Sequence, residues 1–539
     1  MKRITVVAFV ALWAFLALPA AALSAVAEKP PAPGEEFGPK HSANYTADHS
    51  KFKELQREFK SGPEVTAACL TCHTEAAGQI HKTLHWTWKS EGAAGAKLGK
   101  SGDTVNNFCI SLGTNEPRCT SCHIGYGWKD ASFDFSARDK VDCLVCHEQT
   151  GSYKKFPTKA GHVVEEPTEF GGKTWNPPDW NKVAQSVSLP TRKNCGECHF
   201  FGGGGEGVKH GDLDSSMYKP DRELDVHMNP NGLNFSCQRC HTTEKHEMAG
   251  RSYEAKPEND RRSLIDNDQM KKITCVSCHS ERPHKANVKA NDHTAKVACQ
   301  TCHIPAFARK NSTKMYWDWS SAGKRDANGK PIVESRDGRP AYDGMKGSFV
   351  WQKDVVPEYA WYNGQMRYLT FRDKVDPSGG PVRINPAMGS YEDGNSRIYP
   401  FKLHRGKQPF DPVNRVFIAP HLFGKDDAAY WKAYDWKKSA EVGMAYMNLP
   451  FSGEVSFIES EYLFQTTHMV APKEKALSCA ECHSSNGRMR NVAGFYMPGR
   501  DTHRALDSVG WTGVGLAFLG VTGHGAFRII RRKKQGGKS

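Results

Sequence analysis

The stretch Cys69-Leu70-Thr71-Cys72-His73 is the first of eight Cys-x-x-Cys-His units in this chain of 539 residues. Sixteen of the 17 cysteines lie in these units, which recur far more often than chance allows. Two thiols at this spacing, followed at once by a histidine, are typical of covalent haem c attachment, in which the thiols bond the porphyrin and the imidazole reaches the iron. The sequence therefore predicts eight covalently attached haem c groups.

Each unit supplies two cysteines that attach the porphyrin and one proximal histidine that binds iron. In chain order the units comprise Cys69, Cys72 and His73; Cys119, Cys122 and His123; Cys143, Cys146 and His147; Cys195, Cys198 and His199; Cys237, Cys240 and His241; Cys275, Cys278 and His279; Cys299, Cys302 and His303; and Cys479, Cys482 and His483. Zinc is the competing interpretation, because paired Cys and His also suit a tetrahedral zinc site. A histidine directly after every cysteine pair, in an exported chain, favours haem.

Export is predicted from the N-terminus, residues 1–27. Lys2 and Arg3 precede an apolar run, and Ala25-Val26-Ala27 matches a signal-peptidase site. The alternative is an uncleaved membrane anchor. Both readings place the body of the chain outside the cytoplasm.

The opposite end carries a second membrane signal. Residues 506–530 form an apolar, Gly-rich run that contains His524, and residues 531–539 form a basic tail. About 20 apolar residues span a bilayer, and basic flanks stay on the cytoplasmic side. The chain is therefore expected to face the periplasm and to be anchored in the inner membrane, with a buried helix of a soluble body as the alternative.

The spacing of the units predicts the organisation of the body. Residues 28–310 form a region of seven haem units, 311–470 a haem-free insertion rich in aromatic residues, and 471–505 the segment of the eighth unit. Haems at this density fill much of the core, so we expect a mainly α fold with extensive irregular loops, organised around a packed haem array, with little β structure. The aromatic insertion is expected to pack against haem faces and to offer a surface for a homo-oligomer.

The formal net charge of +14 gives no support to nucleic-acid binding. The two basic residues of the leader and the six from Arg528 onwards account for eight of these charges. The propionates of eight ferric haems outweigh the remaining positive charge, so the exported body has no strong basic field.

Distal iron ligands are sought among the fifteen histidines outside the units. These outnumber the haems, so counting does not show whether any haem lacks a second histidine. Position favours eight of them, and each also has a structural or exposed role as its alternative: His81, His85, His162, His227, His246, His284, His293 and His468. His81 and His85 share one helical face, so one or both are candidate ligands.

Two further features stand apart from the units. Cys109 is the one cysteine outside them, which suggests a reactive thiol or an intermolecular disulfide, with a buried inert thiol as the alternative. Gly151-Ser152-Tyr153-Lys154-Lys155 follows the third unit. Taken alone, two lysines in a loop are expected to be solvated charges.

The distribution of the units, the stretch 117–128 (Pro-Arg-Cys-Thr-Ser-Cys-His-Ile-Gly-Tyr-Gly-Trp) and the stretch 142–155 resemble the octahaem tetrathionate reductase family from about residue 68 to about residue 486. The resemblance implies that the haem of the second unit, at His123, is catalytic and that a lysine amine occupies an axial position in place of a second histidine. Lys155, or else Lys154, matches that lysine, and Cys109 would lie near the same haem. The C-terminal apolar run departs from the family's soluble members.

The resemblance implies a reductase of small oxidised sulfur or nitrogen compounds, with tetrathionate reduction to thiosulfate as the family reaction and the other haems as an electron chain. A nitrite or hydroxylamine oxidoreductase is the alternative enzyme. A non-catalytic, membrane-tethered electron conduit is the alternative from another class. The expected partners are a small inorganic anion or other small sulfur or nitrogen substrate, a quinol-oxidising membrane cytochrome or other redox partner, and the membrane, but no nucleic acid.

Overall fold

A computed structural model describes residues 47–91, 97–250 and 274–536. The N-terminal signal and His41 lie outside the described residues. The helices are α1 (Gly62–Cys69), α2 (Ala76–Ile80), α3 (Leu84–Thr87), α4 (Glu116–Cys119), α5 (Leu144–His147), α6 (Trp180–Gln185), α7 (Arg192–His199), α8 (Cys237–Cys240), α9 (Val276–His279), α10 (Cys299–His303), α11 (Tyr430–Ala433), α12 (Trp436–Tyr446), α13 (Cys479–Cys482) and α14 (Arg504–Gly536).

Most of these helices are short and coincide with the haem units. A single turn of helix carries residues i and i+3 on one face, so it presents both cysteines of a unit to the same side. Local capping starts these turns: the Ser478 hydroxyl and the Glu481 carboxylate form a capping box at α13, and Ser61 caps α1 by accepting from the Glu64 amide. The units are thus built by local sequence.

The strands are β1 (Ser90–Glu91), β2 (Lys97–Leu98), β3 (Thr168–Phe170), β4 (Lys173–Trp175), β5 (Thr243–Glu244), β6 (Glu247–Met248), β7 (Thr313–Asp318), β8 (Val333–Arg336), β9 (Arg339–Asp343), β10 (Gly347–Gln352), β11 (Glu358–Tyr362), β12 (Val382–Arg383), β13 (Arg397–Asp411), β14 (Val416–Phe417) and β15 (Ser456–Gln465). The first six form three separate two-stranded ribbons. The other nine form one mixed sheet in the order β12-β15-β13-β7-β10-β9-β8, with β11 and β14 also paired to β13. β12 with β15 and β13 with β7 are parallel pairs.

This sheet corrects the expected fold class. The prediction of a mainly α fold with little β structure is wrong, because the insertion at residues 311–470 folds as the nine-stranded sheet. The largest hydrophobic cluster of the described residues lies on this sheet and includes Trp317, Trp319, Phe410 and Phe417. The aromatic residues of the insertion therefore build a protein core of their own.

The central strand β13 shows why sequence patterning missed the sheet. Lys402, His404, Gly406 and Gln408 alternate on its buried face, whereas Arg405 between them is exposed. A half-buried strand normally alternates apolar residues inward with polar residues outward. Here the inward residues are polar or glycine, so the hydropathy pattern conceals the strand.

A β-bulge adds a further amine to this buried face. The register between β7 and β10 shifts at Met315. The shift places the Lys314 side chain beside Trp317 and Phe349, with its ammonium 3.8 and 3.4 Å from the two ring centroids. Trp317 is paired with Gly406 of β13. Lys314 and the polar face of β13 therefore lie on the same side of the sheet.

The C-terminal helix α14 differs from every shorter helix. Its stretch Arg504–Lys534 is, within the described residues, the one helix long and apolar enough to cross a membrane, and the chain buries none of its most apolar part. Side chains such as Trp511 and Phe518 are 76% and 68% exposed. A lipid environment would cover this apolar surface.

Candidate haem sites

Seven of the eight proximal histidines lie against a second imidazole, with ring centroids 5.9–6.4 Å apart. The pairs are His73 with His49, His147 with His246, His199 with His85, His241 with His468, His279 with His227, His303 with His284, and His483 with His293. A metal–imidazole bond is about 2 Å long, so one metal between two imidazoles separates their centroids by about 6 Å. These residues fit seven bis-histidine haem irons.

The orientation of several proximal rings fits the same role. Nδ1 of His147 donates to the Ser188 carbonyl at 2.8 Å, and Nδ1 of His483 donates to the Pro498 carbonyl at 2.9 Å. A hydrogen bond from Nδ1 to a carbonyl fixes the ring and leaves Nε2 for the metal. The backbone around these units therefore presets the ligand atom.

The observed imidazole pairs differ from the predicted set of distal ligands at three histidines. His81 stacks on Trp86 at 4.7 Å, and His162 lies against Tyr126 at 5.6 Å; neither pairs with a proximal histidine. His49, which positional reasoning did not favour, faces His73 instead. No sequence signal distinguishes His49, because its partner is chosen by the way the chain folds back on the first unit.

The second unit is different. Nε2 of His123 donates to the Trp86 carbonyl at 2.6 Å, and the ring lies within an aromatic cage that includes Trp88, Trp128 and Phe133. Burial lowers the pKa of His123 to about 3. Within the part of the chain that the structure describes, no imidazole ring pairs with His123. Its iron-binding atom is already engaged by the protein.

The Lys155 side chain packs against the backbone of this unit. Its ammonium donates to the His123 carbonyl and to the Gly125 carbonyl at 3.1 Å, and it lies 3.0 Å from the Asp142 carboxylate. The Lys155 side chain is 6% exposed. Gly161 allows this close packing, since a β-carbon there would lie 2.3 Å from the Gly125 carbonyl oxygen. Lys155 is thus a buried amine positioned at the second unit.

Asp142 organises the surroundings of this amine. Its carboxylate accepts from the hydroxyls of Tyr126 and Tyr153, both at 2.8 Å, and from the Val145 amide at 3.0 Å. Burial, and then the Asp142 charge, raise the pKa values of both tyrosines well above their usual range. Asp142 and the tyrosines hold the Lys155 side chain in place; sequence reasoning missed them because the tyrosines resemble ordinary core residues.

The other two predicted residues occupy distinct positions. Lys154 forms an ion pair with Glu197 at a partly exposed site, away from His123. The Cys109 thiol lies 3.7 Å from the Gly203 carbonyl, and its side chain packs against the hydrophobic cluster on the large sheet. Burial, and next the nearby Cys109, raise the pKa of Cys119 to about 12. Cys109 is therefore close to the attachment cysteine of the second unit.

The polar sheet face formed by Lys314, Lys402 and His404 is a feature that sequence reasoning missed. Lys314, Lys402 and His404 are 4%, 1% and 0% exposed. Both ring nitrogens of His404 lack a hydrogen-bond partner, whereas the Lys402 ammonium donates to Thr313 at 2.6 Å and to two carbonyls. Burial lowers the pKa of Lys402 to about 7 and those of Lys314 and His404 well below their ordinary values. The face is rich in buried nitrogen groups.

Contacts between cysteines of different units show which haem sites are neighbours. The thiols of the second and fourth, the fourth and fifth, the sixth and seventh, and the first and third units lie close enough to shift each other's pKa. Electrostatic contacts join the seventh to the eighth and the fifth to the sixth. The pairs are Cys122 with Cys198, Cys195 with Cys237, Cys275 with Cys299, Cys69 with Cys143, Cys302 with Cys482, and Cys240 with Cys275. Six units form one continuous series from the eighth to the second, and the first unit neighbours the third.

Comparison with known proteins decides the family. The chain is 43% identical to the octahaem cytochrome c of Shewanella oneidensis, whose crystal structure superposes with a TM-score of 0.71 and covers 82% of this chain and 95% of that chain. The chain belongs to the octahaem cytochromes c of the tetrathionate reductase family. Family models for bacterial cytochrome c and for cytochrome c554 and c-prime match residues 314–486 and 68–148 of this octahaem cytochrome.

A more distant relative covers a smaller part of the octahaem cytochrome. An uncharacterised protein of Archaeoglobus fulgidus is 24% identical over 260 residues, which are 41% of this chain and 86% of that protein. Together the comparisons establish a multihaem redox protein that binds haem c covalently.

Proposed function

We propose that this cytochrome is an exported, membrane-anchored octahaem reductase that reduces a small oxyanion of sulfur or nitrogen at the haem of its second unit. Tetrathionate is the favoured substrate, because the family takes its name from that reaction. Two electrons cleave the central S–S bond, and one tetrathionate dianion gives two thiosulfate dianions. The other seven haems carry electrons to this site.

The contrast between the second unit and the other seven carries the proposal. Two axial histidines close an iron to substrate, and seven proximal histidines have a second imidazole at the matching distance. His123 has instead a backbone partner for Nε2 and the Lys155 amine beside its carbonyl. We assign the Lys155 amine as the group that would hold the haem iron at this unit; because the Trp86 carbonyl accepts from Nε2 of His123, that imidazole would leave the iron accessible to substrate.

Haem c bound at the second unit supplies electrons one at a time at its iron. An amine binds a metal only when it is deprotonated, and a free lysine has a pKa of ~10.4. The Asp142 carboxylate, 3.0 Å from the Lys155 nitrogen, is the nearest acceptor for the proton that ligation releases. The hydroxyls of Tyr126 and Tyr153 keep the carboxylate oriented toward the amine.

The polar sheet face supports an anionic substrate. Cys109 is an electrostatic neighbour of both Lys314 and Cys119 of the second unit, and Lys402 and His404 lie on the same sheet face as Lys314. Burial disfavours their charged forms, and a nearby anion favours those forms. An oxyanion bound there would therefore be stabilised by charge and would draw protons onto these groups.

The deciding experiment is ligand binding and turnover by the purified holoprotein. We expect a signal from one substrate-accessible haem and uptake of one cyanide per chain, and we expect viologen-driven turnover with tetrathionate. Faster turnover of nitrite or hydroxylamine than of tetrathionate would change the substrate that we assign but would leave the proposed site unchanged. Eight low-spin haems without cyanide uptake or turnover would refute the proposal in favour of an electron conduit.

A further inference from the structure

The segment between the eighth unit and the membrane helix, residues 484–503, is pinned to the proximal histidine of that unit. We call this segment the connector. Nδ1 of His483 donates to the Pro498 carbonyl at 2.9 Å. Gly499 has φ +83°, and a β-carbon there would lie 2.4 Å from the His483 carbonyl oxygen, so only glycine fits. The connector therefore folds back onto the haem site itself.

Arg500 holds the rest of the connector in one conformation. The Arg500 guanidinium donates to the Met489 carbonyl at 3.1 Å and to the Phe495 carbonyl at 2.7 Å, and it forms an ion pair with Asp501 at 2.6 Å. Asp501 in turn accepts from the Met497 amide at 2.7 Å. A guanidinium that donates hydrogen bonds to several backbone carbonyls at once holds a loop in one conformation. The connector is therefore fixed up to Asp501.

Helix α14 begins at Arg504, five residues after Gly499. Five extended residues reach at most about 18 Å. Gly499 touches the His483 carbonyl, and the imidazole and its metal bond add about 10 Å, so the iron site of His483 and His293 lies within about 30 Å of the first turn of helix α14. If α14 spans the bilayer, the eighth unit is the haem unit joined to the membrane surface by the shortest stretch of chain.

The connector also presents an aromatic surface beside this site. Tyr496 is 59% exposed and Tyr391 is 43% exposed. Tyr391 stacks on Phe495 at 6.0 Å and meets Trp361 at 5.8 Å, while the Lys296 ammonium lies 5.0 Å from the Tyr391 ring. Exposed tyrosines are enriched at membrane interfaces and as anchors in protein interfaces. This surface suits a partner that is itself embedded in the membrane.

The order of the haem sites points in the same direction. The cysteine contacts run from the eighth unit through the seventh, sixth, fifth and fourth to the second. The eighth unit is thus the end of the series opposite the proposed reaction site. An electron that arrives there passes the seventh, sixth, fifth and fourth units before it reaches the second.

We propose that electrons from the membrane enter this cytochrome at the eighth haem, from a quinol-oxidising integral membrane protein that docks on the Tyr391–Tyr496 surface. The donor oxidises one quinol to quinone, releases two protons and passes two electrons singly to the site of His293 and His483. A single helix offers no enclosed quinol site, so the oxidation belongs to the partner. The proposal rests on the membrane anchoring in the proposed function, but not on its substrate.

The test uses the full holoprotein in membranes of the organism that makes it. Menadiol is added without any terminal substrate, and haem reduction is followed by absorbance. A Tyr391→Ser/Tyr496→Ser double variant is expected to be reduced by menadiol at least tenfold more slowly than the unaltered protein. Phe170→Ser removes a 39% exposed aromatic side chain on β3 and is expected to have no effect.

A viologen donor, which bypasses the partner, is expected to reduce all three proteins at equal rates. Equal menadiol rates in the double variant and the unaltered protein would overturn the proposal, and so would recovery of the protein from the soluble fraction after cell lysis. Neither assay contains a terminal substrate such as tetrathionate. A failure of tetrathionate turnover therefore leaves them unaffected, and the two proposals fail separately.

Discussion

The Lys155 ammonium lies 3.0 Å from the Asp142 carboxylate, and the two side chains are 6% and 0% exposed. A buried lysine normally requires a charged partner, because its desolvation is costly. This pair places an amine at the second haem unit, where Nε2 of the proximal His123 already donates to the Trp86 carbonyl. The chemistry of the cytochrome depends on that juxtaposition.

Replacing Lys155 by Leu tests the amine directly. We expect a loss of at least about 100-fold in kcat, the scale of removing one preorganised group at a reacting centre, together with a changed spectrum of one haem. Lys154→Leu is the matched control, since it removes only a partly exposed ion pair with Glu197 and is expected to leave kcat within about twofold. Unchanged turnover and spectra in both variants would remove Lys155 from the mechanism.

Asp142→Asn tests the network behind the lysine. The carboxylate accepts two tyrosine hydroxyls and an amide besides pairing with Lys155, so we expect a loss of about 3 kcal/mol in the free energy of unfolding. Asp134→Asn alters an exposed carboxylate that accepts from Ser136, and its effect is expected to be much smaller than that of Asp142→Asn. Guanidinium unfolding of the holoproteins measures both. Equal midpoints for the two variants would contradict the prediction.

His85→Ala and His81→Ala test the pairing of distal ligands. The His85 ring lies 6.1 Å from that of His199, whereas His81 stacks on Trp86. We therefore expect His85→Ala to convert one low-spin haem to a high-spin or ligand-accessible state. His81→Ala is expected to keep the haem spectrum of the unaltered protein. Electron paramagnetic resonance distinguishes the two results, and a spectral change in His81→Ala alone would reverse the assignment.

The polar sheet face predicts a pH dependence for anion binding. Burial lowers the pKa of Lys402 from 10.5 to about 7, so the side chain is positive below that pH and neutral above it. We expect the Kd for nitrite to rise as the pH increases through about 7, because the positive charge that attracts the anion is lost.

Lys402→Met should flatten this profile and weaken binding about tenfold at pH 6, the scale of one charged hydrogen bond. Lys407→Met changes a lysine on the opposite face of the same strand and is the control. Binding is measured by titration of the haem spectrum. A pH profile unaffected by Lys402→Met would show that the anion does not reach this face.

The family and the haem attachment were predictable from sequence because both depend on local chemistry. Two cysteines and a histidine within five residues define an attachment site wherever the chain carries it. The family assignment, which rested on such stretches, is confirmed by the relative from Shewanella oneidensis. Periodicity could not reveal the nine-stranded sheet, because Lys402, His404 and Gln408 face inward on its central strand.

Ligand pairing is a different kind of property. His468 lies beside His241, and His85 beside His199, although long stretches of chain separate them. The Lys155 ammonium likewise donates to the carbonyl of His123, which lies 32 residues earlier in the chain. The amino-acid sequence alone determined where haem is attached, since that chemistry acts between neighbours along the chain. Tertiary structure decided which histidines face each other and which amine lies at the second unit, because those distances are set by how remote segments pack.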